Sequence, residues 1–181
     1  MNATRRSAKA PASSSASSEF DSAFWNVIQS HFFSHAHLRQ AAEAALVPLQ
    51  LGLAHHRAMA FIYKNPGITV GQLRCELRVS SQALNTVLGQ LIRRELVEQK
   101  AGQEDRRIKH LFLTREGKDV LETALGRQRD VVRKAAHACG PDAVKGFIAL
   151  ARAMADEEAR QSIGPVDEAA VVMLCKAGRA S

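Results

Sequence analysis

Between Thr69 and Thr114 the apolar residues of this chain change their spacing once, and that change limits the available folds more than any other feature. Up to Ile92 they recur every three or four positions, the period of a helix with one buried face; from Val97 to Leu113 they alternate, the period of a strand. Thr69-Val70-Gly71-Gln72 places a hydroxyl ahead of a glutamine at the spacing in which each side chain satisfies a free amide at a helix start. Val79-Ser80-Ser81 interrupts the pattern, and Ser80 or Ser81 caps the next helix. Its residues Leu84, Val87, Leu88, Leu91 and Ile92 face a core, and Gln82, Asn85, Thr86, Gln90 and Arg93 face outward. Strands 97–100 and 108–113 follow, joined by the charged turn Ala101-Gly102-Gln103-Glu104-Asp105-Arg106-Arg107. The segment therefore reads as helix, tight turn, helix, β-hairpin.

Helical spacing also covers residues 20–46, where Phe24, Val27, Ile28, Phe32 and His35 share a stripe and Pro48 closes the run. A second helix over 53–64 stops at Asn65-Pro66-Gly67. Thr114 caps a helix reaching about Ala138, and Gly140-Pro141 opens another with Val144, Phe147, Ile148, Ala151 and Met154 on one face. Residues 167–176 read as a short helix or a frayed tail. The first 18 residues are rich in Ser and Ala, carry Arg5, Arg6 and Lys9 and have no acid before Glu19, a composition too poor in apolar surface to order itself. Such a disordered basic tail suits weak attraction to DNA, and it also resembles a transit peptide.

Lys and Arg number 25 against 18 Asp and Glu, a net charge of +7, so a polyanion is the natural partner unless basicity serves only solubility. The 181 residues suit one compact unit. Cys75, Cys139 and Cys175 are widely spaced and odd in number, which indicates neither a disulfide framework nor a zinc finger and fits a reducing cytoplasm. No apolar run is long enough for a membrane span and the amino terminus lacks a secretory core, so a soluble cytoplasmic protein with no membrane partner is expected. There is no nucleophile elbow, no H-E-x-x-H and no phosphate-binding glycine loop, so an enzyme is not expected.

The helix pair and hairpin supply what duplex DNA needs. Gln82 and Asn85 carry amides that pair bidentately with adenine in a major groove. The hydroxyls of Ser80, Ser81 and Thr86 at the helix start, with Thr69 on the preceding helix, suit phosphate oxygens, and Gln90 and Arg93 extend the same outer face. An ordinary solvated helix face is the alternative. The hairpin shifts the balance, because Arg106, Arg107 and Lys109 stand on a short projection and an arginine there suits a narrow minor groove. Asp105 is expected to hold Arg107 by a charge-assisted hydrogen bond, leaving Arg106 free.

This order of elements, with Asp105-Arg106-Arg107 followed by Leu111-Phe112-Leu113-Thr114-Arg115-Glu116-Gly117, resembles the MarR family of transcriptional regulators over residues 20–159. The resemblance implies a mainly α fold with a small β-hairpin wing. Its parts are a dimerisation helix at 19–50, a winged helix-turn-helix lobe at 51–118, and C-terminal dimerisation helices with a tail at 119–181. It also implies a homodimer that represses by binding a pseudo-palindromic double-stranded operator, and release by a small aromatic acid as effector, with no cofactor.

Candidate effector residues are Trp25, His31, Phe32 and His35 of the first helix and His55, His56, Arg57 and Met59 of the second, which combine rings for stacking with cations for a carboxylate; for each, core packing or a solvated position is the bland alternative. The stretches 24–33 and 53–59 resemble the subgroup that represses nicotinic acid catabolism and biofilm polysaccharide genes, which would imply 6-hydroxynicotinate as inducer. His31 and His35 stand one helical turn apart, so a zinc-responsive repressor with His37, His55 or His56 as further ligands is a second reading. The first helix contains no cysteine, which disfavours thiol sensing. A helical protein-interaction module remains a third reading, although it leaves the charged hairpin unexplained.

Overall fold

The structure, a computed structural model, describes residues 13–102 and 105–176. Two compact units divide between Leu38 and Arg39. Residues 1–12, most of the segment read as a basic tail, lie outside the described residues, as do Gln103 and Glu104 at the hairpin tip. Helix α1 (Ser13–Leu46) has already begun inside that segment.

Up to Leu38, α1 carries a row of large apolar side chains open to solvent in the single chain. Phe20, Phe24, Trp25, Val27, Ile28, Phe32 and Phe33 are all exposed. Beyond Leu38 the helix enters a core at Ala42 and Leu46, both fully buried. A single 3-10 turn, Val47–Leu49, follows with Pro48 inside it, and Gln50 takes a left-handed conformation (φ 50°) that turns the chain into α2 (Leu53–Lys64).

The predicted helix-turn-helix is present. Helix α3 (Val70–Leu77) is opened by the reciprocal pair read from sequence: the Gln72 amide donates to Thr69 Oγ1 at 3.2 Å, and the Thr69 amide donates to Gln72 Oε1 at 2.9 Å. Helix α4 (Ser81–Arg93) is capped by Ser80, whose Oγ accepts from the Ala83 amide at 3.2 Å. Arg78 ends α3 with φ 53°, a left-handed position filled by neither Gly nor Asn.

The hairpin is part of a slightly larger sheet. Strands β1 (Ile68–Thr69), β2 (Val97–Ala101) and β3 (Lys109–Leu113) form an antiparallel sheet in the order β1-β3-β2. Val97 opposes Leu113, Lys100 opposes His110, and Ile68 opposes Leu111. Strand β1 was not anticipated: two residues between a Pro-Gly turn and a helix cap hold no period of their own, and it is pairing with β3 that makes them a strand. On β3 the alternation works as read, with Leu111 and Leu113 buried on one face and His110 and Phe112 half-buried on the other.

Helix α5 (Arg115–Cys139) starts under Thr114, whose Oγ1 accepts from the Gly117 amide at 3.0 Å and donates to the Glu95 carbonyl at 2.7 Å. Gly117 sits against the corner at Leu96. A Cβ built there would lie 2.0 Å from the Leu96 carbonyl oxygen, so this corner admits no side chain. Helices α6 (Pro141–Met154), α7 (Glu157–Ile163) and α8 (Glu168–Lys176) complete the chain. Residues 168–176 are thus helical, with Asp167 ahead of them accepting from the Ala170 amide at 3.0 Å, and α8 packs on α5 and α6 with Val171 buried. Helix α7 was not foreseen, since its seven residues are too few to show a period.

The core lies where α2, α3, α4, the sheet and the start of α5 meet. Ala58, Met59, Ile62, Leu73, Leu84, Leu91, Leu111 and Leu121 are within 2 % of full burial. Its location fixes which faces of α4 and of the hairpin turn outward.

Candidate nucleic-acid interface

The start of α4 presents Ser80, Ser81, Gln82, Asn85 and Thr86, all exposed, while Leu84, Leu88 and Leu91 on the opposite side are buried. A helix held rigidly by one face and carrying two primary amides on the other can enter a groove without losing core contacts. Ser80 uses its oxygen as an acceptor for the cap and keeps its hydroxyl hydrogen for an outside acceptor. Two hydroxyls read as phosphate contacts are less free. Thr86 Oγ1 donates to the Gln82 carbonyl at 3.0 Å, and Thr69 Oγ1 both accepts from the Gln72 amide and donates to Gln72 Oε1 at 3.0 Å. Both threonines close local helix contacts.

Gln90, read as outward-facing, is half-buried, and its Oε1 pairs with His55 Nε2. His55 Nδ1 accepts from the Gly52 amide at 3.0 Å, which leaves Nε2 as the protonated nitrogen and Gln90 as its acceptor. The chain Gly52–His55–Gln90 ties the first turn of α2 to the middle of α4. It occupies a histidine read as an effector ligand and a glutamine read as a DNA contact. Arg93 is exposed at the end of α4.

On the hairpin Arg106, Arg107 and Lys109 are exposed, as expected. Asp105 acts differently from the expectation: its Oδ1 accepts from the Arg107 backbone amide at 2.8 Å and not from a guanidinium. An acid two residues before an amide closes a local turn more readily than it reaches a long neighbouring side chain. No ion pair to Arg106 or Arg107 forms among the described residues. The base of the hairpin is braced on both sides. His110 Nδ1 donates to the Gly67 carbonyl at 2.8 Å, and Lys100 Nζ lies 4.9 Å from the centroid of Phe112 while pairing with Glu98 at 2.8 Å.

The effector candidates fall into different environments. Trp25 and Phe32 are exposed on α1, each edge-on to a neighbouring phenylalanine, and His31 and His35 stack with ring centroids 6.2 Å apart and planes within 8°. Met59 is fully buried and His56 is 8 % exposed, so both belong to the core; the α2 face carrying Ala58, Met59 and Ile62 is the one covered by α3, α4 and α5. Among the described residues His56 Nε2 has no hydrogen-bond partner, and burial lowers the pKa of His56 from the ordinary value of 6.5. Arg57 is exposed and donates to the Leu77 carbonyl at 3.3 Å, capping the end of α3.

Arg57 also lines a cavity of about 70 Å³ with Ala54, Leu77, Val79, Ala83, Leu84 and Val87, too small for an aromatic acid. A larger, open cleft of about 460 Å³ is lined by Pro48, Leu49, Gln50, Leu51, Arg94, Leu96 and Val120. There Arg94 bonds the Leu49 carbonyl and lies 3.3 Å from Gln50 Oε1. Sequence reasoning missed Arg94, because an arginine after a helical run carries no sign of what its fork will bind. Among the described residues no group of three or more His, Cys, Asp or Glu is placed to hold a metal ion, and the three cysteines are unpaired. No helix among the described residues is long and apolar enough to cross a membrane.

Known proteins share this arrangement. Residues 49–108, the span from the α1–α2 junction to the hairpin, match the model of the MarR family. The chain is 42 % identical over 135 residues to the HTH-type transcriptional regulator PetP of Rhodobacter capsulatus, covering 74 % of this chain and 81 % of that protein. Among solved structures, one of a MarR family transcription regulator superposes with a TM-score of 0.67 at 15 % identity, covering 77 % of this chain and 92 % of its own. A mutant MarR from E. coli complexed with operator DNA gives 0.59 at 20 % identity, covering 72 % and 94 %. The likeness to the R. capsulatus regulator and the match across the helix-turn-helix lead to one conclusion: this chain belongs to the MarR family of DNA-binding transcriptional regulators, which are not enzymes.

Proposed function

We propose that the protein is a homodimeric, sequence-specific repressor that reads a pseudo-palindromic operator with α4 in the major groove and the hairpin against the minor groove, and that a small aromatic carboxylate releases it. The observation that carries the DNA reading is the exposed row Ser81, Gln82 and Asn85 on a helix whose other face is locked into the core, beside two exposed arginines on a braced hairpin. The exposed apolar stripe of α1 from Phe20 to Phe33 and the exposed Phe147, Leu150 and Met154 of α6 support self-association, since apolar surface of this extent on isolated helices needs cover. A dimer sets two reading helices about 34–36 Å apart on one face of the duplex.

The effector reading rests on the resemblance and on exposed rings and cations at Trp25, Phe32, His31, His35 and Arg57; His56 and Met59 leave that set because they are buried. 6-Hydroxynicotinate is the first compound to test. A mobility-shift titration on duplexes from the DNA flanking the gene, repeated with pyridine and benzene carboxylates, tests both halves. Discrete retardation of one segment by a dimer, reversed by such an acid, is expected. A monomer, or equal binding to every sequence at moderate salt, refutes the proposal.

A further inference from the structure

The turn between α3 and α4 is tied to a distant part of the chain. Arg78, the left-handed residue ending α3, reaches Asp156 with both arms of its guanidinium, Nη1 to Oδ2 at 2.7 Å and Nη2 to Oδ1 at 2.8 Å. Asp156 follows the end of α6 and caps α7, its Oδ1 accepting from the Ala159 amide at 2.9 Å. The corner that carries it is itself fixed. The Ala155 amide closes the last turn of α6 on the Ala151 carbonyl at 3.1 Å, and Arg160 folds back from α7 to donate from Nε to the Arg152 carbonyl at 3.1 Å.

A carboxylate already oriented by a helix cap loses little freedom on pairing, and a two-armed guanidinium fixes direction as well as distance. Those features separate this pair from the isolated, flexible surface ion pairs that contribute almost nothing. Arg78 stands two residues before Ser80, the cap of α4, so whatever holds Arg78 also holds the end of α4 that carries Ser81, Gln82 and Asn85.

We infer that Asp156 is a positioning residue for DNA recognition: acting through Arg78, it clamps the turn before α4 to the α6–α7 corner and so couples the reading helix to the C-terminal helices. The Asp156 carboxyl is held well below the usual carboxylate range, first by the Arg78 hydrogen bond and then by the Ala159 amide, so the clamp persists throughout the neutral and mildly acidic range.

The inference rests on the DNA-binding role, and a pair of measurements keeps the two apart. Asp156→Asn retains a helix-capping oxygen while removing the charge. Simple electrostatics predicts that losing an acidic group from a DNA-binding protein tightens binding. The clamp predicts the opposite: weaker binding to the retarded flanking duplex by up to about fivefold, an unchanged urea midpoint, and faster hydrogen exchange at the amides of Val79 to Gln82. Asp156→Glu, which keeps the carboxylate, restores binding, and Arg78→Lys, which loses the two-armed geometry, behaves like Asp156→Asn. Binding by Asp156→Asn that equals or exceeds the wild type, or unaltered exchange in the turn, overturns the inference. The exchange measurement needs no DNA, so it stands even where the operator reading fails.

Discussion

Replacing Gly117 by alanine perturbs the joint between α4, the hairpin and α5. The added Cβ meets the Leu96 carbonyl oxygen at 2.0 Å and its carbon at 2.9 Å, and both are backbone atoms that no rotamer change can remove. Relief requires shifting either the start of α5 or the corner entering β2 by more than an ångström. That shift breaks the Thr114 amide to Leu96 carbonyl bond (3.2 Å) and the Thr114 hydroxyl to Glu95 carbonyl bond (2.7 Å). Two hydrogen bonds at about 1 kcal/mol each, with about 1–3 kcal/mol of overpacking, oppose a gain of about 1 kcal/mol from replacing a helical glycine. The net expectation is a loss of about 2–4 kcal/mol. Gly126 lies in the same helix, where a Cβ would meet no atom of the described residues within 4 Å, and provides the control. Urea unfolding of the two variants separates the effects: Gly126→Ala is neutral or up to about 1 kcal/mol more stable, and Gly117→Ala is clearly less stable. Equal stability of the two would refute the argument that the corner admits only glycine.

His56 is buried and favoured in its neutral form, with a folded pKa below 6.5. Between those two values the unfolded chain binds more protons than the folded one, so stability is complete above pH 6.5 and falls as pH drops below it. The urea midpoint therefore declines from pH 7.5 to 5.5, and His56→Met flattens that decline; an undiminished slope in the variant assigns the dependence elsewhere. For the His55–Gln90 contact, a double-mutant cycle with alanine at each position yields a coupling of about 0.5–1.5 kcal/mol in unfolding experiments. A coupling near zero would return Gln90 to the list of free outward residues.

Much of the fold was legible because it rests on local chemistry. The caps at Thr69, Ser80 and Thr114 and the switch of apolar period after Leu96 each declare an element within a few residues. What stayed hidden depends on partners far along the chain. Strand β1 exists because β3 lies beside it, Arg78 meets Asp156 across 78 positions, and His55 meets Gln90 across 35. The same distinction applies to function. The exposure of Gln82 and Asn85 follows from helical period alone, whereas the burial of Met59 and His56 depends on three helices packing over one face of α2. Arg106 and Arg107 were rightly placed on the hairpin, but the role of Asp105 turned on a backbone amide that no side-chain pattern reveals.

The division of labour between reading helix and hairpin is tested most directly by binding titrations of the wild type, Asn85→Ala and Arg106→Ala across a range of salt concentrations, on the retarded duplex and on a scrambled one. Arg106→Ala should weaken binding to both duplexes and reduce the slope of log affinity against log salt by about one. Asn85→Ala should keep the slope and lose discrimination worth about 1–3 kcal/mol between the duplexes. Equal losses on both duplexes with unchanged slopes for both variants would contradict the account.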